Sequence, residues 1–508
     1  MEQNNQEKRR EVNLNDLDVI IQIIALKGAE NMRKRNYKLF AAIMLISLLS
    51  SCGESLNSAS QSINSNVSLT NTRTSTFAKP VQPDTKAQSF DIDYYHDSEI
   101  DNCSDGMVLV TKNSNIDGAT KLVISWGDDD KPFDNYNALI EFDNLKTSEF
   151  EFNFKKNSLI PMEATKIWAV LMDSNNQILD KGSIGVESYK KDEKKLYEFQ
   201  VLSDQQISDF SAFYRRSKKA FEDIKENSPD SSLIAVDGDI VDEAVSSYYD
   251  KFYQSFDEAY GDSKKPELLV GIGNHEFIRQ NENADYQGYT EDQLKQMYED
   301  RLSLWEQKTS HDSPYFYYVR NNSYYVFLGT TEIPHELDGN TRADCTLGET
   351  QLNWLSGVLD EASKTNNPIY LFSHGSLRDT VSGSLTSLNQ TWYGYTKEEE
   401  TKLRNIIEKY DNLFFFSGHS HWSFESESPY MVNKDNPSYF NTGAVGYLWE
   451  GEGGGHSYNN GNYENGGGQG LYVEVYEDQV HIKGRQFEAS DKTSKYWFSN
   501  YQVVVPIK

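Results

Sequence analysis

The clearest indication of the fold is the stretch Leu233-Ile234-Ala235-Val236-Asp237-Gly238-Asp239-Ile240-Val241-Asp242, in which an apolar run leads into a turn rich in carboxylates. A short apolar run bounded by polar turn residues is typical of a strand buried in a parallel sheet. The arrangement recurs where strands at residues 197–202, 268–272, 369–372 and 413–416 lead into Ser203-Asp204-Gln205-Gln206, Gly273-Asn274-His275-Glu276, Ser373-His374-Gly375 and Ser417-Gly418-His419-Ser420-His421. Helix-like segments such as 207–225, 349–363 and 398–410 separate the strands, so the sequence predicts an α/β fold with a partly parallel sheet.

We expect the polar side chains of these five turns to lie close together. Ligands of open α/β sheets bind outside the carboxyl ends of the strands, and the five turns follow those ends. The turns offer carboxylate, amide and imidazole groups without thiolate, a ligand set that suits divalent Mn, Fe or Zn. The sequence therefore predicts a metal site at one rim of the sheet.

In their order, the five turns resemble the motifs of the calcineurin-like metallophosphoesterases, most specifically through Gly273-Asn274-His275-Glu276 and Gly418-His419-Ser420-His421. The resemblance covers residues 196–487 and implies a four-layer αββα sandwich that hydrolyses phosphate monoesters or diesters. It also implies two divalent metal ions, with a water or hydroxide between them as the nucleophile. One ion would be held by Asp204, Gln206, Asp239 and His421, and the other by Asp239, Asn274, His374 and His419.

The resemblance also assigns a proton donor and contains two departures from the family pattern. His275 matches the family's general acid, and Asp242 would orient and charge its imidazole; the alternative for His275 is a structural hydrogen bond. Position 206 is Gln where most members have His, and an amide oxygen is a weaker donor than imidazole, so we expect a weaker or different first metal. Asp242 stands where the related purple acid phosphatases have tyrosine, which disfavours a tyrosinate-iron centre. The alternative function is a catalytically weakened surface lipoprotein that acts as a binding module, although the other ligands and His275 are retained.

The N-terminal sequence predicts export and lipid anchoring. A basic segment at residues 33–38, an apolar run at 39–49 and Ser50-Ser51-Cys52 have the layout of a secretory signal, and the run is too short to span a bilayer comfortably. The last four residues of this signal, 49–52, resemble a bacterial lipobox, which implies a lipid on Cys52 and an extracytoplasmic protein held at the cell membrane. An ordinary signal or a signal anchor is the alternative. Residues 1–31 precede the signal and are interpreted as an untranslated or non-native extension.

The remaining sequence suggests the following domain organisation. Residues 52–88 are rich in Ser, Asn and Thr and predict a flexible tether, and short strands with polar turns over 89–190 predict a small all-β sandwich domain of unassigned function. The catalytic domain is expected over 195–490, followed by a C-terminal strand segment over 491–508. Cys103 and Cys345 could pair or stay as thiols, and their spacing does not decide between these states.

Charge and a few further residues bear on the substrate. The chain has 78 acidic and 49 basic residues, a net charge of -29, which disfavours nucleic-acid binding but not a small phosphorylated molecule at a metal pair. Arg279 and Arg378 follow two of the motifs and could bind phosphate, although surface ion pairing is the more common role of such residues. The glycine-rich segment 451–470 is expected to be a mobile loop, and His456 within it is a weak candidate for an additional ligand.

Overall fold

The computed structural model describes residues 83–96, 98, 100–186, 194–279, 289–333, 335–337, 341–343, 345–391, 394–433, 437–449, 467–489 and 494–508. These residues belong to one compact unit over 77–508. The predicted extension over 1–31, the predicted signal peptide over 32–51, the predicted lipidation site Cys52 and the candidate ligand His456 lie outside the described residues. Within the described ranges, no helix combines the length and apolar character needed to cross a membrane.

The N-terminal region consists of short strands, most of which form two antiparallel sheets. Its strands are β1 (Pro83–Thr85), β2 (Phe90–Tyr95), β3 (Cys103–Ser104), β4 (Met107–Lys112), β5 (Ala119–Gly127), β6 (Ile140–Phe142), β7 (Glu149–Asn153), β8 (Ser158–Leu159), β9 (Lys166–Asp173) and β10 (Ile178–Gly185). A five-stranded sheet has the order β1-β10-β9-β5-β6, and a three-stranded sheet has the order β2-β4-β7. Ile92 and Val110 from the smaller sheet share a core with Ile124 and Ile167 from the larger one, which is consistent with a β domain ahead of the α/β part.

The predicted tether extends too far along the chain. Strand β1 begins at Pro83, inside the predicted range of 52–88, and pairs antiparallel with β10. The backbone N–H groups of Gln88 and Ser89 donate to Asp180 Oδ2 at 2.9 and 2.8 Å. Backbone pairing with β10 and an aspartate acceptor therefore order residues whose side chains contribute little apolar burial, and composition alone does not reveal such pairing.

From Tyr197 onward, helices separate many of the strands. The elements are β11 (Tyr197–Leu202), α1 (Ser211–Asn227), β12 (Leu233–Val236), α2 (Ser246–Tyr260), β13 (Glu267–Val270), α3 (Glu291–Thr309), β14 (Phe316–Arg320), β15 (Ser323–Leu328), β16 (His335–Leu337), β17 (Thr341–Ala343), α4 (Gly348–Ala362), β18 (Ile369–Ser373), α5 (Lys397–Ile407), β19 (Leu413–Ser417), β20 (Tyr430–Met431), β21 (Ser438–Asn441), β22 (Gln469–Val475), β23 (Gln479–Gln486) and β24 (Tyr496–Pro506). Short 3₁₀ turns occur at His275–Phe277 and Thr386–Leu388.

Two mixed sheets form the centre of this part. The eight-stranded sheet has the order β13-β12-β11-β22-β23-β24-β8-β3, and its β11, β12 and β13 are parallel. The six-stranded sheet has the order β14-β15-β18-β19-β21-β20, and its β15, β18, β19 and β21 are parallel. The apolar runs found in the sequence form β11, β12 and β13 of one sheet and β18 and β19 of the other, as expected for strands buried on both faces. The sequence analysis did not identify the other two parallel strands, β15 and β21.

The sheets pack face to face and helices cover their outer faces. Phe199 and Val201 of β11 lie in one core with Phe327, Phe372 and Phe416 of the six-stranded sheet. A second core joins the other face of the eight-stranded sheet to α1, α2 and α3, and a third joins the outer face of the six-stranded sheet to α4 and α5. This αββα arrangement confirms the predicted four-layer fold.

The N-terminal region and the α/β part share the eight-stranded sheet. Strand β24 pairs with β8 at Val503 and Ser158, and β8 pairs with β3, so two short strands from within residues 89–190 extend the larger sheet. Strands from both sides of the predicted boundary near residue 190 are therefore hydrogen-bonded in the same sheet. Cys103 and Cys345, both described, are buried and not joined by a disulfide.

Candidate metal centre

The five turns after β11, β12, β13, β18 and β19 converge on one rim, as the strand order requires. There, His374 Nε2 lies 3.0 Å from Asp239 Oδ2, and His421 Nε2 lies 2.9 Å from Asp204 Oδ1. Across the same rim, His419 Nδ1 lies 3.0 Å from Asn274 Oδ1. Residues far apart along the chain thus place polar side-chain atoms side by side.

These side chains form two candidate ligand groups with one member in common. Asp239, His374 and His419 offer ligand atoms that all lie within 4.8 Å of one another, and so do Asp204, Asp239 and His421. Asp239 belongs to both groups, as expected of a carboxylate between two cations. Asn274 adjoins the first group through His419, and Gln206 adjoins the shared carboxylate, because its Nε2 donates to Asp239 Oδ2 at 3.0 Å.

The donor set fits divalent cations. All seven candidate ligands are at least 95% buried, and they supply oxygen and imidazole nitrogen. Gln206 Oε1 is fully enclosed and has no hydrogen-bond donor among the described residues. A buried acceptor without a donor is costly, since leaving it unsatisfied costs about 1–3 kcal/mol, and a cation at this position would satisfy it. Oxygen and imidazole together suit Mn, Fe or Zn.

The backbone at the rim is strained. Asp204, Gln206 and Asp239 have φ of 55°, 53° and 51°, and His419 and His421 have φ of 64° and 53°. Five of the seven candidate ligands therefore lie in the left-handed region, where a residue with a side chain costs roughly 1–3 kcal/mol. Such strain concentrates at functional sites, where the surrounding structure holds the residue in place. The sequence contains no signal of this conformation.

Glycines in the motifs make room for the ligands. A Cβ at Gly273 would overlap Asp239 Oδ1, and a Cβ at Gly418 would lie 2.7 Å from Asp204 Oδ2. The carboxylates therefore approach the backbone more closely than any other residue at these two positions would allow. This close approach explains the glycines of Gly-Asn-His-Glu and Gly-His-Ser-His.

Backbone carbonyls orient two of the imidazoles. His374 Nδ1 lies 2.7 Å from the carbonyl of Asp237, and His421 Nδ1 lies 2.9 Å from the carbonyl of Tyr447. A carbonyl partner places the ring proton on Nδ1 and leaves Nε2 as the metal-binding atom. In both residues, Nε2 is the atom that faces the carboxylates.

Glu276 fixes the carboxylate side of the rim, a role that the sequence did not reveal. Its Oε2 accepts from Asp239 N at 3.0 Å and from Gly273 N at 2.7 Å, and its Oε1 accepts from Ile240 N at 2.8 Å. One buried carboxylate thus links the turn after β12 to the turn after β13. The only sequence signal was its fixed place as the last residue of Gly-Asn-His-Glu.

His275 lies beside the ligands and is more accessible than they are. Its side chain is 24% exposed, and its Nε2 lies 4.0 Å from Asp239 Oδ2. Its Nδ1 contacts the backbone carbonyl of Asp242 at 2.8 Å and the Asp242 carboxylate at 3.4 Å. Asp242 therefore faces the ring as predicted, but its carbonyl is the closer partner.

The charges of the rim are strongly coupled. Burial disfavours the imidazolium form of His374, but the carboxylates of Asp239 and Asp204 hold its pKa well above the usual value. Burial also opposes ionisation of Asp239, while the imidazoles of His374 and His275 keep the pKa of this carboxyl low. For His275, burial again lowers the pKa, and Asp239 and Asp242 outweigh it and raise the pKa to about 9.

The two candidate arginines differ in their surroundings. Arg378 is bound to Glu400, to which its guanidinium and its backbone N–H both donate, and its Nη2 donates to the carbonyl of Tyr395 at 3.0 Å. Arg378 therefore forms an ion pair, which the sequence analysis gave as the alternative to phosphate binding. Arg279 is exposed, and its Nε donates to the carbonyl of Ala244 at 3.3 Å.

The family comparison agrees with this geometry. Residues 206–423 match the model of the calcineurin-like phosphoesterase family, so the chain contains a domain of this kind. The matched segment includes Asp239, Asn274, His374, His419 and His421. The match supports metal-dependent hydrolysis of phosphoesters. No curated protein matches the sequence.

Similar solved structures include phosphatases, although the similarity is weak. A dimetal phosphatase from Danio rerio has 12% identity and a TM-score of 0.40, with 62% of this chain and 100% of that chain covered. The purple acid phosphatase PPD1 from yellow lupin (Lupinus luteus) has 11% identity and a TM-score of 0.39, with 82% and 74% covered. Vacuolar Protein Sorting 29 from Cryptosporidium parvum has 7% identity and a TM-score of 0.25, with 62% and 100% covered.

Proposed function

We propose that this calcineurin-like phosphoesterase domain hydrolyses phosphate monoesters or diesters at a pair of divalent cations. The observation that carries the proposal is the pair of ligand groups that share Asp239. Asp204, Gln206, Asp239 and His421 would hold one cation, and Asp239, Asn274, His374 and His419 would hold the other. When bound, the two cations would act as Lewis acids on the phosphoryl oxygens and lower the pKa of a shared water.

We further propose that His275 is the general acid. Protonation of the leaving oxygen requires a charged imidazole that substrate can reach. The 24% exposure of its side chain leaves the ring open to solvent, and the contacts of its Nδ1 with the carbonyl and the carboxylate of Asp242 favour a charged imidazole. Asp242 acts as its positioning residue, because its carbonyl contacts Nδ1 and so directs Nε2 toward the rim. The exposed Arg279 is a weaker candidate for substrate binding.

The location of the protein is proposed from its sequence. The signal-like segment over 32–51 and Cys52 support an exported protein held at the cell membrane by lipid, with residues 1–31 as an untranslated extension. The net charge of -29 supports a small phosphorylated substrate over nucleic acid. Mass spectrometry of the protein isolated from its native membrane would detect an acylated peptide that begins at Cys52, and an unmodified peptide spanning residues 45–60 would contradict the proposal.

The proposed reaction is tested by hydrolysis of 4-nitrophenyl phosphate and bis(4-nitrophenyl) phosphate with added Mn. We expect turnover of at least one substrate that is abolished by a chelator and restored by Mn. Asp239→Asn should remove this activity, because Asp239 belongs to both ligand groups. Asp134→Asn is the control, since Asp134 is an exposed residue of the N-terminal region. Binding of Mn without turnover of either ester would instead favour a binding module.

A further inference from the structure

Strand β14 is an edge strand whose outer side has no partner among the described residues. It pairs with β15 alone, across a two-residue turn at 321–322 in which both residues have positive φ, 52° and 61°. In such a hairpin the residues next to the turn form a hydrogen-bonded pair, and these pairs alternate along the strands. Arg320 and Tyr318 therefore direct their backbone groups toward β15, whereas Tyr317 and Val319 direct theirs outward.

The residues with outward backbone groups also expose apolar side chains. Tyr317 is 46% exposed and Val319 is 42% exposed, and both lie on the same face because they are two residues apart in a strand. The ring of Tyr317 stacks on that of Tyr324 with centroids 5.7 Å apart, and it lies 6.3 Å from the ring of Trp354 on α4. The edge thus presents an ordered apolar surface beside unpaired backbone groups.

The β14 edge lacks the charged residues that usually protect edge strands from pairing. By contrast, β7 is an edge strand of equal length and carries the exposed residues Glu149 and Glu151. The only charge in β14 is Arg320 at its end, and two of its nitrogens donate to the Glu267 carboxylate at 3.0 and 2.9 Å. Residues 313–331 contain no other charged side chain, in a chain with a net charge of -29. Two copies of the chain therefore meet little electrostatic repulsion at this contact.

We propose that β14 pairs antiparallel with β14 of a second copy of this chain, about a twofold axis at Tyr318. In this register Tyr317 of each copy lies opposite Val319 of the other, and each such pair exchanges both of its N–H···O=C hydrogen bonds. Their side chains then form aromatic and β-branched cross-strand pairs on one face. The same patch serves both copies, as a twofold interface requires, and the two six-stranded sheets become continuous.

The neighbouring residues favour this register over those shifted by one residue. With the axis at Tyr317, Val319 would lie opposite Tyr315, whose N–H already donates to Ser313 Oγ at 3.3 Å. With the axis at Val319, Tyr317 would lie opposite the hairpin turn, where the strand has ended. Only the axis at Tyr318 pairs the two exposed apolar residues with each other.

The net charge gives the proposed dimer a distinctive dependence on salt. Each copy carries a charge of -29, so two copies repel each other at long range, and salt screens this repulsion. The contact contains no ion pair between copies, because Arg320 is paired with Glu267 of its own chain. In sedimentation equilibrium we expect a weak, reversible dimer whose Kd is lower at about 500 mM than at about 50 mM NaCl. A dimer held by ion pairs would show the opposite dependence and contradict the proposal.

Val319→Lys tests the contact, with Ile178→Lys as the matched control. Both variants replace an exposed aliphatic side chain by lysine, and Ile178 is 53% exposed on β10. We expect Val319→Lys to raise the dimer Kd at least about 10-fold, because the lost cross-strand pair occurs twice in a twofold interface. The control should leave Kd unchanged. All proteins carry Cys52→Ser, so that a lipid cannot cause association. A protein that stays monomeric at its solubility limit, or a Kd that Val319→Lys does not change, would overturn the proposal.

Tyr318→Cys tests the register, with Tyr317→Cys as its control. A residue on the twofold axis faces its own counterpart in a non-hydrogen-bonded pair, with Cα atoms about 4.5 Å apart, which a disulfide can bridge. The counterpart of Tyr317 lies diagonally, about 7–8 Å away, beyond the usual disulfide range. On oxidation, non-reducing electrophoresis should show a covalent dimer of Tyr318→Cys only. A cross-link in Tyr317→Cys alone, or in neither variant, would contradict the register. None of these measurements uses catalysis, so their outcome is independent of the proposed reaction.

Discussion

The two central sheets contribute different chemistry to one rim. The eight-stranded sheet supplies oxygen from Asp204, Gln206, Asp239 and Asn274, and the six-stranded sheet supplies nitrogen from His374, His419 and His421. The oxygen side is fixed largely by the Glu276 carboxylate, which binds backbone N–H groups, whereas two imidazoles of the nitrogen side are fixed by backbone carbonyls. Neither sheet alone carries a complete ligand set, so the centre exists only where the sheets pack together.

The largest effect is expected when the nitrogen side loses one ligand. His419→Ala removes a member of the group that contains Asp239 and His374 but leaves the Asp204 and His421 group intact. We expect bound Mn to fall from two ions to one, and activity to fall at least about 1,000-fold because the phosphoryl group loses one Lewis acid. Elemental analysis after equilibrium dialysis gives the metal content. Two bound ions with unchanged turnover would contradict the ligand assignment. Gln206→Ala, which removes one candidate ligand from the oxygen side, is the variant for comparison.

The next effect concerns the proton donor on the oxygen side. His275→Gln should lower kcat about 100-fold for glycerol phosphate, at the low end of the 10²–10⁴ range for general acid catalysis, and less for 4-nitrophenyl phosphate, whose leaving group needs less protonation. Mn content should be unchanged, since His275 is not in either ligand group. His96→Gln in the N-terminal region is the control. An equal loss for both esters would assign His275 a structural role.

His481 lies away from the rim, and its pKa is shifted in the opposite direction to that of His374 at the rim. Burial lowers the pKa of His481 on β23 to about 4, whereas carboxylates raise the pKa of His374. The unfolded chain, with a histidine pKa near 6.5, binds more protons than the folded one between pH 6.5 and 4, so stability falls as pH falls through this window.

His481→Phe should remove this part of the pH dependence. We expect the free energy of unfolding of the native protein to decrease between pH 7 and 5 by about 2 kcal/mol more than that of the variant. Urea unfolding at the two pH values measures the difference. Parallel pH profiles would mean that His481 titrates normally in the folded protein.

The smallest effect is expected from a change that makes the oxygen side resemble the nitrogen side. Gln206→His replaces an amide oxygen by imidazole, the stronger donor, and histidine is among the residues that tolerate the left-handed backbone of this position, φ 53°. We expect Mn to activate the variant at a concentration about 10-fold lower. Titration of activity with Mn checks this. A higher Mn requirement would mean that the amide is already the better fit.

The sequence predicted the parallel core well, for a physical reason. Strand β12 covers the predicted Leu233–Val236, and β18 and β19 each extend one residue beyond the prediction. Strands buried on both faces must be continuously apolar, so their bounds are visible in composition. Helix α1 begins at Ser211 and not at residue 207, because Ile207 pairs with Val241 in a bridge that is remote in sequence.

The sequence indicated which side chains lie together at the rim, but not the contacts that hold them there. The turns after the strands revealed which side chains meet, since the ends of parallel strands share a rim. The left-handed backbone at Asp204 and His421 and the clamp formed by Glu276 depend on contacts between separate turns. Local sequence carries no record of such contacts. The entry of β3 and β8 into the larger sheet was missed because strands of two residues have no periodicity to detect.

Strand β24 has a consequence for the order of folding. Although it follows the other described strands in sequence, it lies inside the eight-stranded sheet between β23 and β8. As the chain folds, β8 has no partner on this side until residues near 503 join the sheet. Domains usually fold from the N-terminus onward, but here β8 of the N-terminal region completes its pairing only with the last described strand. Until that late closure, the unpaired edges of β8 and β23 would be open to chaperones and to aggregation.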